Sequence, residues 1–192
     1  MSLLQDSWFD GGNTVMKKAG MLYTIADLDA LQEGERAELI EGKLYMMSAP
    51  SATHQDMVGF IYSELRRFFK EGKGKCKAFV APFAVFLNET DTYVEPDIIV
   101  ICDEERYDEK GCHGAPDLVI EVVSPGSARM DYAVKLFKYR SFGVREYWIV
   151  DPDKKRIQVY DFEHDNMEEY TFVDKVPVKI YEDSLEIDFT ML

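Results

Sequence analysis

The chain has 192 residues, 46% of them hydrophobic and 13% aromatic, which is enough for one domain with its own core and excludes a largely disordered protein. Its 22 basic and 36 acidic residues leave a formal charge of −14, which repels nucleic acid at long range and disfavours DNA as a partner, although an acidic metal site is neutralised by the ions it binds. No apolar run approaches the roughly 18 residues that a membrane-crossing helix needs, and the three cysteines, Cys76, Cys102 and Cys112, lack paired spacing and fit free thiols in a reducing cytoplasm.

Residues 1–20 carry no periodicity and place Asp6, Asp10 and Gly11-Gly12 where a signal peptide needs an apolar core. A loose N-terminal tail is expected there, with a single folded domain over 21–192. Thr24 and Asp27 have the spacing of a capping box that opens a short helix through about Leu31. Glu38 to Met47 reads as two short strands around Glu41-Gly42. A second box, Thr53 with Asp56, precedes Met57, Val58, Ile61, Leu65, Phe68 and Phe69, which recur at helical spacing up to about Lys70. Cys76 to Leu87 reads as one strand, and Asn88 to Asp91 as the turn that follows it.

The stretch from Tyr93 to Asp151 organises the rest. Two apolar runs, Asp97 to Ile101 and Leu118 to Val123, each open on Pro-Asp and are too short and β-branched to be anything but buried strands. The polar segment from Asp103 to Gly114 reads as the loop between them. A helix is expected from about Met130 to Phe142, and Gly143 releases the chain into a third strand, Glu146 to Val150. After the turn at Asp151 to Lys155, Arg156 to Phe162, Glu169 to Val173, Val176 to Tyr181 and Leu185 to Phe189 read as antiparallel strands. The sum is one α/β domain with a β-rich C-terminal extension.

Three groups along this stretch could converge on a divalent metal and a scissile ester: Asp97, Glu121 and Lys135. Asp97 follows Pro96, so it belongs where a strand enters or bulges, either as a solvated acid or as a metal ligand. Glu121 stands inside Leu-Val-Ile-Glu-Val-Val, where a buried carboxylate is costly unless it is paired or holds a metal. Val123, two positions on, shares its sheet face. Lys135 lies four residues after Asp131 and four before Tyr139, on one helical stripe. It is either a group that stabilises a phosphate transition state or the partner of Asp131 in a surface ion pair. His54 could contact a phosphate or move a proton, or be structural. Cys112-His113 has no partner at zinc-ligand spacing, and no zinc site is expected. Asp117 reads as a strand cap, and Tyr147 and Trp148 as core and interface.

Taken together, Glu38-Leu-Ile-Glu-Gly, Ser51 with His54, Glu95-Pro96-Asp97, Pro116 to Pro125, Asp131, Lys135, Tyr139 and Gly143 to Asp151 resemble the Uma2 family of the PD-(D/E)XK, restriction-endonuclease-like superfamily. The resemblance covers about Tyr23 to Tyr160. It implies a restriction-endonuclease-like α/β core, a mixed central sheet flanked by the helices at Thr53 to Lys70 and Met130 to Phe142. It also implies an Mg²⁺- or Mn²⁺-dependent endonuclease with DNA as substrate. By this resemblance Asp97 and Glu121 are the two motif acids, and Glu38 is an upstream acid that joins them at the metal. Val123 stands in the usual lysine slot, and Lys135 on the helix takes over the lysine's role. The alternative is a catalytically silent module that keeps the fold for dimerisation or partner binding. A homodimer is expected, because double-strand cutting needs two sites, two-fold dimers are the commonest oligomers, and Trp8, Phe9 and the C-terminal strands supply apolar surface beyond one core.

Overall fold

The computed structural model describes residues 21–192, so the expected tail, with Trp8 and Phe9, lies outside the described residues. The first helix is α1 (Ile25–Leu28), capped as expected: the Thr24 backbone N–H and hydroxyl donate to Asp27 Oδ2 at 2.6 and 2.8 Å. Strands β1 (Ala37–Ile40) and β2 (Lys43–Met46) form the expected hairpin, turning at Glu41 and Gly42 with φ of 49° and 73°. A side chain at position 42 would meet Leu22 Cβ at 2.7 Å, so the tight turn also depends on the missing Cβ. Helix α2 (Ala52–Lys70) buries Met57, Val58, Ile61, Leu65 and Phe68 on one stripe. Its cap is Ser51, whose hydroxyl accepts from the His54 N–H at 3.2 Å, and not Thr53, which falls inside the first turn.

The strand expected from Cys76 to Leu87 is two strands. β3 (Lys77–Val80) ends just before Pro82, which has no N–H to offer a ladder, and β4 (Val85–Phe86) belongs to a different sheet. Then come β5 (Tyr93–Val94) and β6 (Ile98–Ile101). The segment expected as a plain loop from Asp103 to Gly114 contains a 3₁₀ turn and the hairpin of β7 (Tyr107–Asp108) and β8 (Gly111–His113). β9 (Leu118–Val122) leads to a π-helical turn, Met130–Lys135, that continues as α3 (Leu136–Phe142) and ends at Gly143 with φ of 90°. β10 (Glu146–Asp151), β11 (Arg156–Asp161), β12 (Asn166–Thr171), β13 (Lys175–Pro177) and β14 (Glu186–Asp188) complete the chain. A 3₁₀ segment, Lys179–Ser184, replaces the end of the strand expected to reach Tyr181.

The central sheet has the order β12-β11-β10-β9-β6-β3. Only β9 and β10 run parallel in it, joined by the crossover through α3, so the sheet is mixed as expected. Alternation along its strands makes two cores. Ile98, Val100, Leu118, Ile120, Trp148 and Val150 face α2 and the C-terminal strands. Ile99, Ile101, Val119, Tyr147 and Ile149 face Tyr139 of α3 and a second six-stranded sheet, β2-β1-β5-β4-β8-β7. Glu121 is in phase with Val119 and therefore enters this second layer. Among the described residues no helix is long and apolar enough to cross a membrane.

The expectation of three free thiols is corrected. Cys76 and Cys102 sit one pair beyond Lys77 and Ile101 in the β3–β6 register, and they are joined as a disulfide. Their neighbourhood is created by antiparallel pairing across 26 residues, which cysteine spacing alone does not reveal. Cys112 is the free thiol, buried, and burial pushes it up to about 12.

Glu146 on β10 is fully buried between the sheet and the C-terminal extension. Its Oε1 accepts from Trp148 Nε1 at 2.5 Å and its Oε2 from the Ile180 N–H at 2.9 Å. Burial nevertheless pushes its carboxyl from 4.5 up to about 7. The folded protein therefore holds this proton more tightly than the unfolded chain. The stability is full below about pH 4.5 and is lost as the pH rises through about 7, a change on the order of 3 kcal/mol. Urea unfolding of Glu146→Gln across this range should show a flatter pH dependence than the parent. An unchanged slope would assign the effect to other groups.

Candidate active site

Asp97 lies at the entry of β6, and its Oδ2 accepts from the Val122 N–H of β9 at 2.8 Å. The same oxygen is 3.1 Å from His54 Nε2, in the first turns of α2. The Asp97 N–H approaches Glu121 Oε2 at 3.4 Å, so the two acids are tied to one another where β6 meets β9. Glu121 Oε1 accepts from Lys135 Nζ at 2.9 Å and from the Tyr139 hydroxyl at 2.8 Å. The Lys135 ammonium is also 2.9 Å from Glu38 Oε1 and 3.8 Å from Asp131 Oδ1. The same oxygen of Glu38, on β1, also accepts from the Glu95 N–H at 3.1 Å.

All five residues expected at the site thus meet. Glu38, His54, Asp97, Glu121 and Lys135 line one cleft of about 700 Å³, walled by the segments at residues 45–51 and 121–127. The reading of Asp131 and Lys135 as a surface pair does not hold, because only 2% and 6% of the two residues are exposed. Their four-residue spacing does put them on one stripe with Tyr139, and the stripe faces inward. The π-helical turn carries both, and such turns are frequent at functional sites because the extra residue per turn re-aims side chains. Val123 lines the same cleft beside Glu121 but adds no amine, and Lys135 brings one in from the helix.

Burial pushes the Glu121 carboxyl well above the usual range. The Lys135 charge pulls the other way, and Asp97, Asp131 and Glu38 add repulsion. Asp131 is raised for the same first reason, burial. Desolvation works to lower Lys135, but Glu121, Glu38 and Asp131 together hold the ammonium well above its ordinary value. The hydrogen bond to Asp97 raises His54. Three carboxylates, Glu38, Glu121 and Asp131, therefore surround one lysine. Among the described residues no three His, Cys, Asp or Glu side chains already converge closely enough to coordinate one ion, since the ammonium stands between Glu38 and Glu121. The donor set still fits a hard divalent cation: it is all oxygen, it carries surplus negative charge, and Asp131 Oδ1 is buried without a hydrogen-bond partner.

Sequence reasoning overlooked a support behind Glu38. Glu95 accepts from Arg36 Nε at 2.8 Å and from the Tyr93 hydroxyl at 2.5 Å, which fixes the backbone whose N–H holds Glu38. The only local signal was an acid directly before Pro96. Asp117 is a strand cap, accepting from the Cys102 N–H at 2.8 Å and from Arg145 Nη1 at 3.1 Å. His113 and His164 pair with Asp108 and Asp161 away from the cleft. Tyr147 and Trp148 are core, both fully buried.

With this geometry in place, the family assignment follows from the sequence as a whole: the Uma2 family model, described as "Putative restriction endonuclease", matches residues 24–191. The chain belongs to the Uma2 family. An uncharacterized protein of Synechocystis sp. is 27% identical over 132 residues, covering 67% of this Uma2 chain and 73% of that protein. A crystal structure from Anabaena variabilis, described as "a putative nuclease belonging to DUF820", has a TM-score of 0.71 at 22% identity. It covers 87% of this chain and 95% of that one, which establishes a shared fold. The mixed sheet with few helices is the nuclease-like α/β core expected for the family.

Proposed function

We propose that this Uma2 protein is a divalent-metal-dependent endonuclease that hydrolyses DNA phosphodiesters with Mg²⁺ or Mn²⁺. The observation that carries the reading is the meeting of Asp97, Glu121 and Lys135, from β6, β9 and the π-helical turn, at one cleft that Glu38 and His54 also reach. Asp97 and Glu121 would hold the metal, with Glu38 as a further oxygen donor. The ion, when bound, would supply an activated water and neutralise charge on the phosphoryl group. Lys135 sets its ammonium beside the acids, where it can steady negative charge that develops on the phosphate. His54 is oriented by Asp97 through Nε2, which leaves Nδ1, buried without a partner, to take or give a proton.

Cytoplasmic DNA is the setting we favour, and there glutathione and thioredoxin would supply the two electrons that reduce the Cys76–Cys102 disulfide to two thiols. A two-fold dimer is the assembly we favour, and sedimentation at micromolar concentration separates it from the single chain.

The direct test is thermal unfolding and calorimetry with added metal. A ligand that binds only the folded state stabilises it by about 2.7 kcal/mol at a hundredfold excess over its Kd. The melting temperature should rise with millimolar Mg²⁺ or Mn²⁺ in the parent and not in Glu121→Ala. A flat response in the parent would favour the silent module, in which Lys135 alone balances the acids.

A further inference from the structure

We propose, resting on the nuclease reading above, that the cleft takes a single DNA strand and not a duplex. The three cationic or protonatable side chains that line it all face carboxylates already: Arg36 pairs with Glu95, Lys135 with Glu38 and Glu121, and His54 with Asp97. A duplex carries one charge per about 1.7 Å of axis, and proteins that hold it spread several Lys and Arg contacts along both phosphate chains. The cleft walls do not supply such contacts among the described residues. The net charge of −14 makes approach of so dense an anion harder still.

What the walls do supply suits unpaired bases. The half-buried Tyr45 and the exposed Met46, Pro50 and Pro125 present apolar surface around the acids. A single strand has the lower charge density, and its splayed bases bury apolar faces that a duplex keeps stacked.

A way out of the cleft has matching chemistry. Pro152 and Asp153 line its edge and run directly into Lys154 and Arg156. The Lys154 ammonium lies 5.2 Å and the Arg156 guanidinium carbon 5.8 Å from the centroid of the Tyr132 ring. The Tyr132 ring itself packs against the core with its hydroxyl on Asp151, so what this edge offers a departing strand is the pair of cations that can track its phosphates. The Lys154 side chain is 56% exposed, unlike the buried Lys135, and its buried partner Asp151 keeps the Tyr132 hydroxyl and the Lys154 N–H as donors when the ammonium turns to a phosphate. Arg156 reaches Glu169 at 3.5 Å, also at the surface. One strand requires one cleft, so the inference asks for no dimer.

The test uses one labelled DNA oligonucleotide, supplied single-stranded and annealed to its complement, with the full chain and Mg²⁺ or Mn²⁺. The single strand should be cut at least about tenfold faster than the duplex, because only it can follow the cleft without a second phosphate chain. Lys154→Ala should weaken single-strand binding severalfold and reduce its salt dependence, with Lys154→Arg restoring both and metal affinity unchanged in either variant. Duplex cleavage at an equal or greater rate would overturn the inference and leave the nuclease reading standing. So would Lys154→Ala binding the single strand with the parent's affinity and salt slope. Absence of cleavage of both forms, with no metal binding, would overturn the nuclease reading itself and the inference with it.

Discussion

Lys135→Ala is expected to abolish hydrolysis while leaving metal affinity equal or higher. The ammonium lies 2.9 Å from both Glu38 and Glu121 and 3.8 Å from Asp131, so its removal deletes the one lysine that these three carboxylates share. Without metal the consequence is also structural. Removing one partner of a buried ion pair typically costs about 3–5 kcal/mol, as an uncompensated charge stays behind. Part of that cost is recovered when the acids take up protons, which burial already favours at Glu121 and Asp131. A divalent cation should recover more of it, because the variant offers the same oxygens without a competing positive charge. The variant should therefore be less stable than the parent in chelator and gain more from Mg²⁺. Single-turnover cleavage, calorimetry and urea unfolding with and without metal read these outcomes separately. Restoring the amine at position 123 in Val123→Lys with Lys135→Ala should recover part of the activity, since position 123 lines the same cleft. A Lys135→Ala protein that cuts at the parent rate would remove this lysine from the chemistry.

The order strand, strand, helix, strand is legible in the sequence because Pro-Asp opens two β-branched runs and Gly143 closes a helix, and each of these signals is local. Glu121 is legible for a different reason. A carboxylate inside Leu-Val-Ile-Glu-Val-Val is costly by itself, so its partners must exist even though the chain does not name them. The depth of Lys135 is not legible. The spacing of Asp131, Lys135 and Tyr139 defines a stripe but not the direction it faces. That direction is set by the parallel β9–β10 crossover, which lays the helix over the sheet face bearing Glu121. The disulfide is hidden for the same kind of reason, since the β3–β6 pairing brings Cys76 to Cys102. The strand expected from Cys76 breaks at Pro82, where the chain moves from the central sheet to the second one, and the strand expected to reach Tyr181 ends at Pro177, before a 3₁₀ segment turns the chain back to pair as β14. Periodicity over a few residues does not register such moves.

Glu121→Gln is expected to lose metal binding and cleavage together while folding as well as the parent or better. The amide oxygen can still accept from Lys135 Nζ and the Tyr139 hydroxyl, the two donors that hold Glu121 Oε1 at 2.9 and 2.8 Å. Its NH₂ group would face the Asp97 N–H, which is already a long contact at 3.4 Å, so little is lost on that side. Lys135 keeps Glu38 and Asp131 as counter-ions, and the repulsion that Glu121 feels from Asp97, Asp131 and Glu38 disappears. Removing a desolvated charge that the apo protein must accommodate thus offsets the weaker hydrogen bond to the ammonium. Metal is a different matter, because a neutral amide oxygen is a poorer ligand for a hard cation than a carboxylate. The variant should therefore show a melting temperature that no longer moves with Mg²⁺ or Mn²⁺, and activity lower by about two orders of magnitude or more. Lys135→Ala and Glu121→Gln then separate the two halves of the site, one losing chemistry with the ion still bound and the other losing the ion. An unchanged metal isotherm in Glu121→Gln would take this carboxylate out of the metal site and leave Asp97 and Glu38 as the oxygen donors to test.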